Sequence, residues 1–178
     1  MRIISGKYKG KKIDGFGISG TRPTMDRVKE SLFASIQNSI KGSACLDLFA
    51  GSGSLGIEAL SNGAHSCYFI ENGDTAYQVL QKNIKWVEEE NYLYKMDYQE
   101  ALQMFYEKQI QFNIIFLDPP YSLHLLTDAL EKIEKYNLLK ENGFIICEYE
   151  TEKIQTNFTC IKTKRYGKTF ISIYQHNK

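Results

Sequence analysis

The sequence predicts an α/β fold, a mostly parallel sheet with helices on both faces, and three observations carry that reading. From residue 44 onward, short apolar runs alternate with amphipathic stretches, the pattern of strands joined by covering helices. The first run, Cys45-Leu46-Asp47-Leu48-Phe49, passes through a glycine-rich turn, Ala50-Gly51-Ser52-Gly53-Ser54-Leu55-Gly56, directly into a helical pattern. Acids also stand at or near the ends of three successive runs, Asp47, Glu71 and Asp97, where open α/β sheets bind ligands.

Strands are expected at ACLDLF (44–49), SCYFIE (66–71), YLYKM (92–96), NIIFLD (113–118) and GFIICEYE (143–150). Between them, Ala76, Val79, Leu80, Ile84 and Val87, and then Leu126, Ala129, Leu130 and Ile133, recur at helical spacing and form core-facing stripes. Asn62-Gly63 and Asn142-Gly143 are expected where a helix stops before the next strand. After residue 150 the helical pattern ends. Phe158–Lys164 and Thr169–Tyr174 alternate around Arg165-Tyr166-Gly167-Lys168, an antiparallel hairpin added to the sheet edge. The 178 residues suit one domain, with 1–21 a basic extension read as a β-hairpin and 22–178 the core.

Composition narrows the class. A chain 43% hydrophobic and 24% charged has the make-up of a globular protein, and no apolar run approaches the roughly 18 residues that cross a bilayer. The basic N-terminus lacks the apolar stretch of a secretory leader, so a cytoplasmic location is expected, with no membrane partner. Cys45, Cys67, Cys147 and Cys160 form no CxxC pair, which predicts buried, inert thiols and no metal site. Charge is divided unevenly: residues 1–30, 31–150 and 151–178 carry net +5, −9 and +5. Both ends of the chain are therefore expected to meet a polyanion.

Glycines at a helix N-terminus let backbone N–H groups approach a ligand. Gly51, Gly53 and Gly56 fit GxGxxG, and alone they leave a nicotinamide dinucleotide open, with Glu71 in the ribose position. Asp47 discriminates, since a carboxylate four residues before Gly51 repels a pyrophosphate and suits the ammonium of an amino acid. S-adenosylmethionine carries that ammonium and no phosphate. Glu71 would then accept from two ribose hydroxyls and Asp97 from the adenine amino group.

A second signal is Asp118-Pro119-Pro120-Tyr121 after the run NIIFL. Prolines end a ladder, but the flanking acid and aromatic suit chemistry on an exocyclic base amine, whose lone pair is delocalised into its ring. A carboxylate and a rigid carbonyl accepting from the NH₂ group draw that lone pair out of the ring. An aromatic fixes the plane of the base by stacking, worth about 1–3 kcal/mol.

At these residues the sequence resembles the bacterial 16S ribosomal RNA guanine-N2 methyltransferases of the small subunit. The carrying segments are RIISGKYKGKKI, RPTMDRVKESLF (22–33), LDLFAGSGSLGIEALSNGA (46–64), Glu71, FLDPPY (116–121) and YGKTFISIY (166–174). The resemblance implies a class I, Rossmann-like methyltransferase fold of seven strands with the last antiparallel. It implies S-adenosylmethionine at Asp47, Phe49, Gly51, Gly53, Glu71 and Asp97, with Ser52, Asn72 and Tyr98 flanking them, and base chemistry at Asp118, Pro119, Pro120 and Tyr121. Met25 and Lys29 depart from the family's usual small hydroxyl residue and arginine.

The expected substrate is 16S ribosomal RNA, free or within a small-subunit particle, and the enzyme is expected to act as a monomer. Arg2, Lys7, Lys9, Lys11, Lys12, Arg22, Arg27 and Lys29 are the expected phosphate contacts near the pocket mouth. Tyr8 and Phe16 would stack on bases, and Gly15–Gly20 would close over the bound strand. Two rivals stand beside this reading. One is a DNA adenine-N6 methyltransferase, disfavoured because little chain remains to read a major groove. The other is a non-catalytic RNA-binding protein, disfavoured by the intact Asp118, Glu71 and glycines.

Overall fold

The computed structural model describes residues 1–15, 23–120 and 125–177. Its elements in chain order are α1 (Pro23–Ile40), β1 (Ala44–Asp47), α2 (Ser54–Ser61), β2 (Ser66–Glu71), α3 (Asp74–Ile84), β3 (Glu90–Lys95), α4 (Tyr98–Glu107), β4 (Phe112–Leu117), α5 (Leu125–Lys135), β5 (Leu139–Tyr149), β6 (Thr159–Tyr166) and β7 (Thr169–Gln175). The seven strands form one sheet in the order β3-β2-β1-β4-β5-β7-β6. β3, β2, β1, β4 and β5 pair in parallel, and β7 runs antiparallel to both β5 and β6.

Alternation along each strand sends side chains to two separate cores. Cys45, Ile114 and Ile146 pack with α1, α2 and α3 on one face. Leu46, Ile115 and Ile145 pack with α4 and α5 on the other. The stripe Leu126, Ala129, Leu130 and Ile133 is buried throughout. In α3, Ala76, Leu80 and Ile84 are buried and Val79 half-buried, while Val87 packs inward beyond the helix end. The apolar pattern did not single out α1 or α4.

Several boundaries moved for local reasons. β1 stops at Asp47 because Leu48 and Phe49 already turn toward the glycines. Asn62 does cap α2, but Asn142-Gly143 stops no helix. α5 is closed by Asn137 in the left-handed region (φ 51°), whose neighbour Leu138 donates its N–H to Ile133 O at 3.0 Å. Asn142-Gly143 instead lies in a bulge of β5, where a Cβ on Gly143 would stand 2.7 Å from Asn113 O. Cys45, Cys67 and Cys147 are buried, whereas Cys160 is exposed on β6, the strand at the sheet edge.

The first fifteen residues fold back on themselves through one antiparallel bridge, Arg2 to Lys12. Two buried polar side chains fasten them to the core. Glu58 of α2, fully buried, accepts from the N–H groups of Ile4 (2.9 Å) and Ser5 (3.1 Å) and pairs with Lys29 of α1 at 3.0 Å. Asn83 of α3 exchanges hydrogen bonds with the Asp14 backbone and donates to Ser52 O at 2.9 Å, tying the segment to the glycine-rich turn.

Candidate active site

The turn after β1 brings Gly51 (φ 56°) and Gly53 (φ 88°) to the start of α2, both in the left-handed region that glycine takes without strain. Gly56 serves packing: a Cβ there would sit 2.3 Å from the Phe69 ring and 2.8 Å from Cys67 Sγ, so α2 lies tight on β2 only with glycine at this position. Ser52 is buried and Phe49 half-buried beside the turn.

Asp47 is 1% exposed, and its two oxygens differ. Oδ2 accepts from the Gly56 N–H at 3.1 Å, while Oδ1 is the one buried side-chain polar atom among the described residues with no hydrogen-bond partner. Burial pushes this carboxyl up to about 7, and the Gly56 hydrogen bond only partly opposes it. An unpaired buried oxygen costs about 1–3 kcal/mol, which a donor brought by a ligand would relieve. A cationic ammonium fits that place, whereas a pyrophosphate does not.

Glu71 ends β2 with both oxygens held by backbone, Oε1 by Gly51 N–H at 2.8 Å and Oε2 by Gly73 N–H at 2.7 Å. Each oxygen keeps a second lone pair, so the carboxylate, already fixed in position, can accept two further hydrogen bonds. Asn72, between Glu71 and Gly73 in the chain, is exposed. Asp97 caps α4, its Oδ2 accepting from Gln99 N–H at 3.0 Å. Tyr98 is buried, leans on Phe49 at 5.2 Å between ring centroids, and donates its hydroxyl to Asp128 of α5. That hydroxyl therefore braces α4 against α5 and is not offered to a ligand.

Asp118 follows β4, and the pairing of Leu117 with Cys147 sets it level with Glu148 of β5. The two carboxyls lie close enough for each to feel the other. Burial raises Asp118 well above the usual carboxylate range, and the charge of Glu148 adds to the rise; burial raises Glu148 too. Such a pair gives up its two protons in separate steps that belong to the pair. Pro119 is buried and Pro120 exposed, and both line a small cavity with Glu148 and Tyr149. Asp47 pairs with Phe116, two residues before Asp118, so Asp47 and the acid of the Asp-Pro-Pro turn stand on adjacent strands. Tyr121 lies outside the described residues.

The expected phosphate contacts scatter. Lys29 is 7% exposed, with Nζ held by Glu58, Arg2 O (3.1 Å) and Ser54 Oγ (2.9 Å), so its charge is satisfied inside the protein and does not reach RNA. Lys7 pairs with Glu88 and Glu89, which immediately precede β3; the turn carrying Lys7 and Lys9 thus lies where the parallel strands begin, opposite the pocket mouth. Lys11 stands over Trp86 at 4.5 Å. Tyr8 packs edge-on against Trp86 and bonds Glu89, which makes it a structural ring and not a base stacker. Arg2, Lys12 and Arg27 are exposed. Arg22, Phe16 and the Gly15–Gly20 segment beyond Gly15 fall outside the described residues.

Sequence reasoning missed Glu148, Glu58 and Asn83. For Glu148 a signal existed, an acid interrupting the apolar run FIIC at the end of a strand, as Asp47 does in β1. Nothing in the sequence marked Glu58 or Asn83, whose partners lie 54 and 69 residues away.

A dinucleotide-binding sheet runs parallel through its sixth strand, whereas here β7 is reversed and inserted between β5 and β6. With Asp47 in place of room for a pyrophosphate, the fold and site define a class I, Rossmann-like methyltransferase that uses S-adenosylmethionine. The chain belongs to the family described as conserved hypothetical protein 95, which matches residues 1–175. It is 38% identical over 181 residues to the ribosomal RNA small subunit methyltransferase D of Haemophilus influenzae, covering 99% of this chain and 94% of the relative. To the protein of the same name from Escherichia coli it is 34% identical over 179 residues, covering 98% and 89%. The solved structure of yhhF from Escherichia coli superposes with a TM-score of 0.85 at 33% identity, covering 99% of this chain and 98% of that one.

Proposed function

We propose that the protein transfers a methyl group from S-adenosylmethionine to the exocyclic N2 amine of one guanine in 16S ribosomal RNA, presented within a small-subunit or assembly particle. It works as a cytoplasmic monomer. The observation that carries this reading is the juxtaposition of Asp47 Oδ1, buried and unpaired, with the Asp118–Glu148 carboxyl pair on the neighbouring strands. The small-subunit relatives support the choice of ribosomal RNA.

S-adenosylmethionine, when bound, supplies an electrophilic methyl group on a sulfonium. Asp47 holds the amino-acid ammonium, Glu71 the ribose diol, and Asp97 the adenine amine, with Gly51, Ser52 and Gly53 giving close backbone approach. Asp118 accepts from the guanine amine, and Pro119 keeps the neighbouring carbonyl rigid. As the N–C bond forms and the S–C bond breaks, the nitrogen becomes cationic with both its hydrogens in place, and it must give one up. That proton passes to Asp118, whose raised basicity suits it as acceptor, and onward through Glu148 to solvent. Orientation and exclusion of water supply most of the acceleration, for which effective molarities allow up to about 7–11 kcal/mol.

The test is incubation with methyl-labelled S-adenosylmethionine and, separately, small-subunit particles lacking the modification, naked ribosomal RNA, and genomic DNA, followed by nucleoside analysis. Label recovered as N2-methylguanosine in 16S RNA is the expected result. Label in DNA as N6-methyladenine overturns the reading.

A further inference from the structure

The β6–β7 hairpin carries cations that the chemistry above does not use. β6 is the outermost strand, and its residues from Thr159 to Arg165 are exposed. Lys162, Lys164 and Arg165 stand on it, and Lys168 stands in the turn. No carboxylate among the described residues forms an ion pair with any of the four, although Lys7, Lys29, Lys82, Lys95 and Lys132 are all paired.

Strand register locates these charges relative to the chemistry. Glu148 pairs with Ile171, which pairs with Lys164; Tyr149 pairs with Phe170, which pairs with Arg165. Asp118 is level with Glu148, so Lys164 lies three strands out on the same level, about 14 Å away at about 4.8 Å per step. Arg165 and Lys168 lie further toward the edge where β4 and β5 end. Tyr166 and Thr169 close a two-residue turn whose first position, Gly167, takes φ 60°, and this sets Lys168 at the rim.

α1 adds a fifth cation to the same rim. Lys164 Nζ and Tyr166 hydroxyl both donate to Ser31 Oγ, at 2.9 and 2.6 Å, fastening the hairpin to α1. Because α1 ends at Ile40 just before β1 begins, its N-terminal half points toward the edge where the parallel strands end. Arg27, exposed and one turn before Ser31, lies on the same side of the helix. The pocket itself is acidic, with Asp47, Glu148, Glu150 and Glu152 nearby, so phosphates are repelled from it and attracted to its rim.

We propose that Arg27, Lys164, Arg165 and Lys168 form the surface that grips the phosphates of the RNA strand whose base enters at Asp118. This rests on the RNA-methylation reading above. The hairpin holds the backbone while the acidic pocket admits only a neutral base. Lys7, Lys9 and Lys11, turned toward the other end of the sheet, do not share in this grip.

The experiment compares wild type with the double variant Arg165→Glu/Lys168→Glu, both positions exposed, with Arg165 bonding the turn at Gly167 O (2.8 Å) and standing over the half-buried Phe170 ring (5.5 Å). Binding to a 16S RNA fragment is measured by anisotropy across a salt series, alongside S-adenosylmethionine affinity and Tm. The variant is expected to bind RNA at least about tenfold more weakly, with a log–log salt slope shallower by about 1.4, the loss of two single-strand phosphate contacts. Its cofactor affinity and Tm stay at wild-type values. Lys41→Glu, at the edge where the strands begin, leaves RNA binding unchanged. Wild-type RNA affinity and slope in the double variant overturn the proposal, as does wild-type binding to phosphatidylserine vesicles in place of RNA. Wild-type protein that grips RNA through the hairpin yet places no methyl group on it defeats the methylation reading and leaves this surface standing.

Discussion

Replacing Lys29 by Met tests whether this lysine braces the fold or contacts RNA. Lys29 and Glu58 have side chains 8% and 0% exposed and stand 3.0 Å apart, so the substitution leaves the Glu58 carboxylate buried without its counter-charge. Removing one partner of a buried pair costs about 3–5 kcal/mol. The variant also loses the bonds from Nζ to Arg2 O and Ser54 Oγ, which join the N-terminal segment to the start of α2. For a chain of this length each kcal/mol moves the Tm by about 2–4 °C, so a fall of about 6–20 °C is expected in a thermal melt. Lys29→Met/Glu58→Gln removes the orphaned charge and should be less unstable than the two single effects added together, a coupling of about 0.5–3 kcal/mol. RNA affinity, measured well below the melt, should stay at the wild-type value. A Lys29→Met protein that melts within about 2 °C of wild type and binds RNA poorly would refute this reasoning.

Further outcomes follow from the site. Asp118→Ala should lower turnover by about a hundredfold or more while S-adenosylmethionine affinity, by calorimetry, is kept; Glu148→Gln removes the charge that raises Asp118, so the acid limb of the kcat–pH profile should move to lower pH. Asp47, raised to about 7, binds an ammonium only as the carboxylate, so cofactor affinity should increase between pH 6 and pH 8; in Asp47→Asn that dependence should vanish and affinity drop about ten- to a hundredfold. For the unliganded protein the sign reverses: a folded value above the unfolded 3.8 means that the folded state binds the proton more tightly, so the Asp47 contribution to stability grows as pH falls from about 7 toward 4, which urea titration at several pH values reads. Gly56→Ala should destabilise by about 1–3 kcal/mol in the same titration, since its Cβ would meet the Phe69 ring at 2.3 Å.

What was legible in the sequence was whatever a local pattern encodes. The period of Leu126, Ala129, Leu130 and Ile133 located α5, and the run from Cys45 to Gly56 located the turn and the helix it feeds. Asp47, Glu71 and Asp118 were singled out because each acid stands in or at the end of an apolar run that leads into a turn. What was not legible depends on the direction in which a residue faces after folding. Lys29 and Lys7 look like any surface lysine until Glu58 and Glu88 are placed opposite them by chain remote in sequence. Likewise, Asn142-Gly143 has the local chemistry of a helix stop, and only the approach of β4 makes it a bulge. The charge of the C-terminal block was visible, but its nearness to Asp118 follows from β7 being threaded between β5 and β6.

That threading also leaves β6 with one flank unpaired. An open strand edge is a template for another chain, and Ile161, 48% exposed, would favour such pairing. Lys162, Lys164 and Arg165 hold like charge along this flank, so two copies approaching edge to edge repel each other. Alanine variants of these residues would weaken that repulsion and invite self-association, whereas glutamate variants keep it with the sign reversed. Colloidal behaviour at high concentration, followed by light scattering, should therefore separate the alanine series from the glutamate series even where both lose RNA to the same degree.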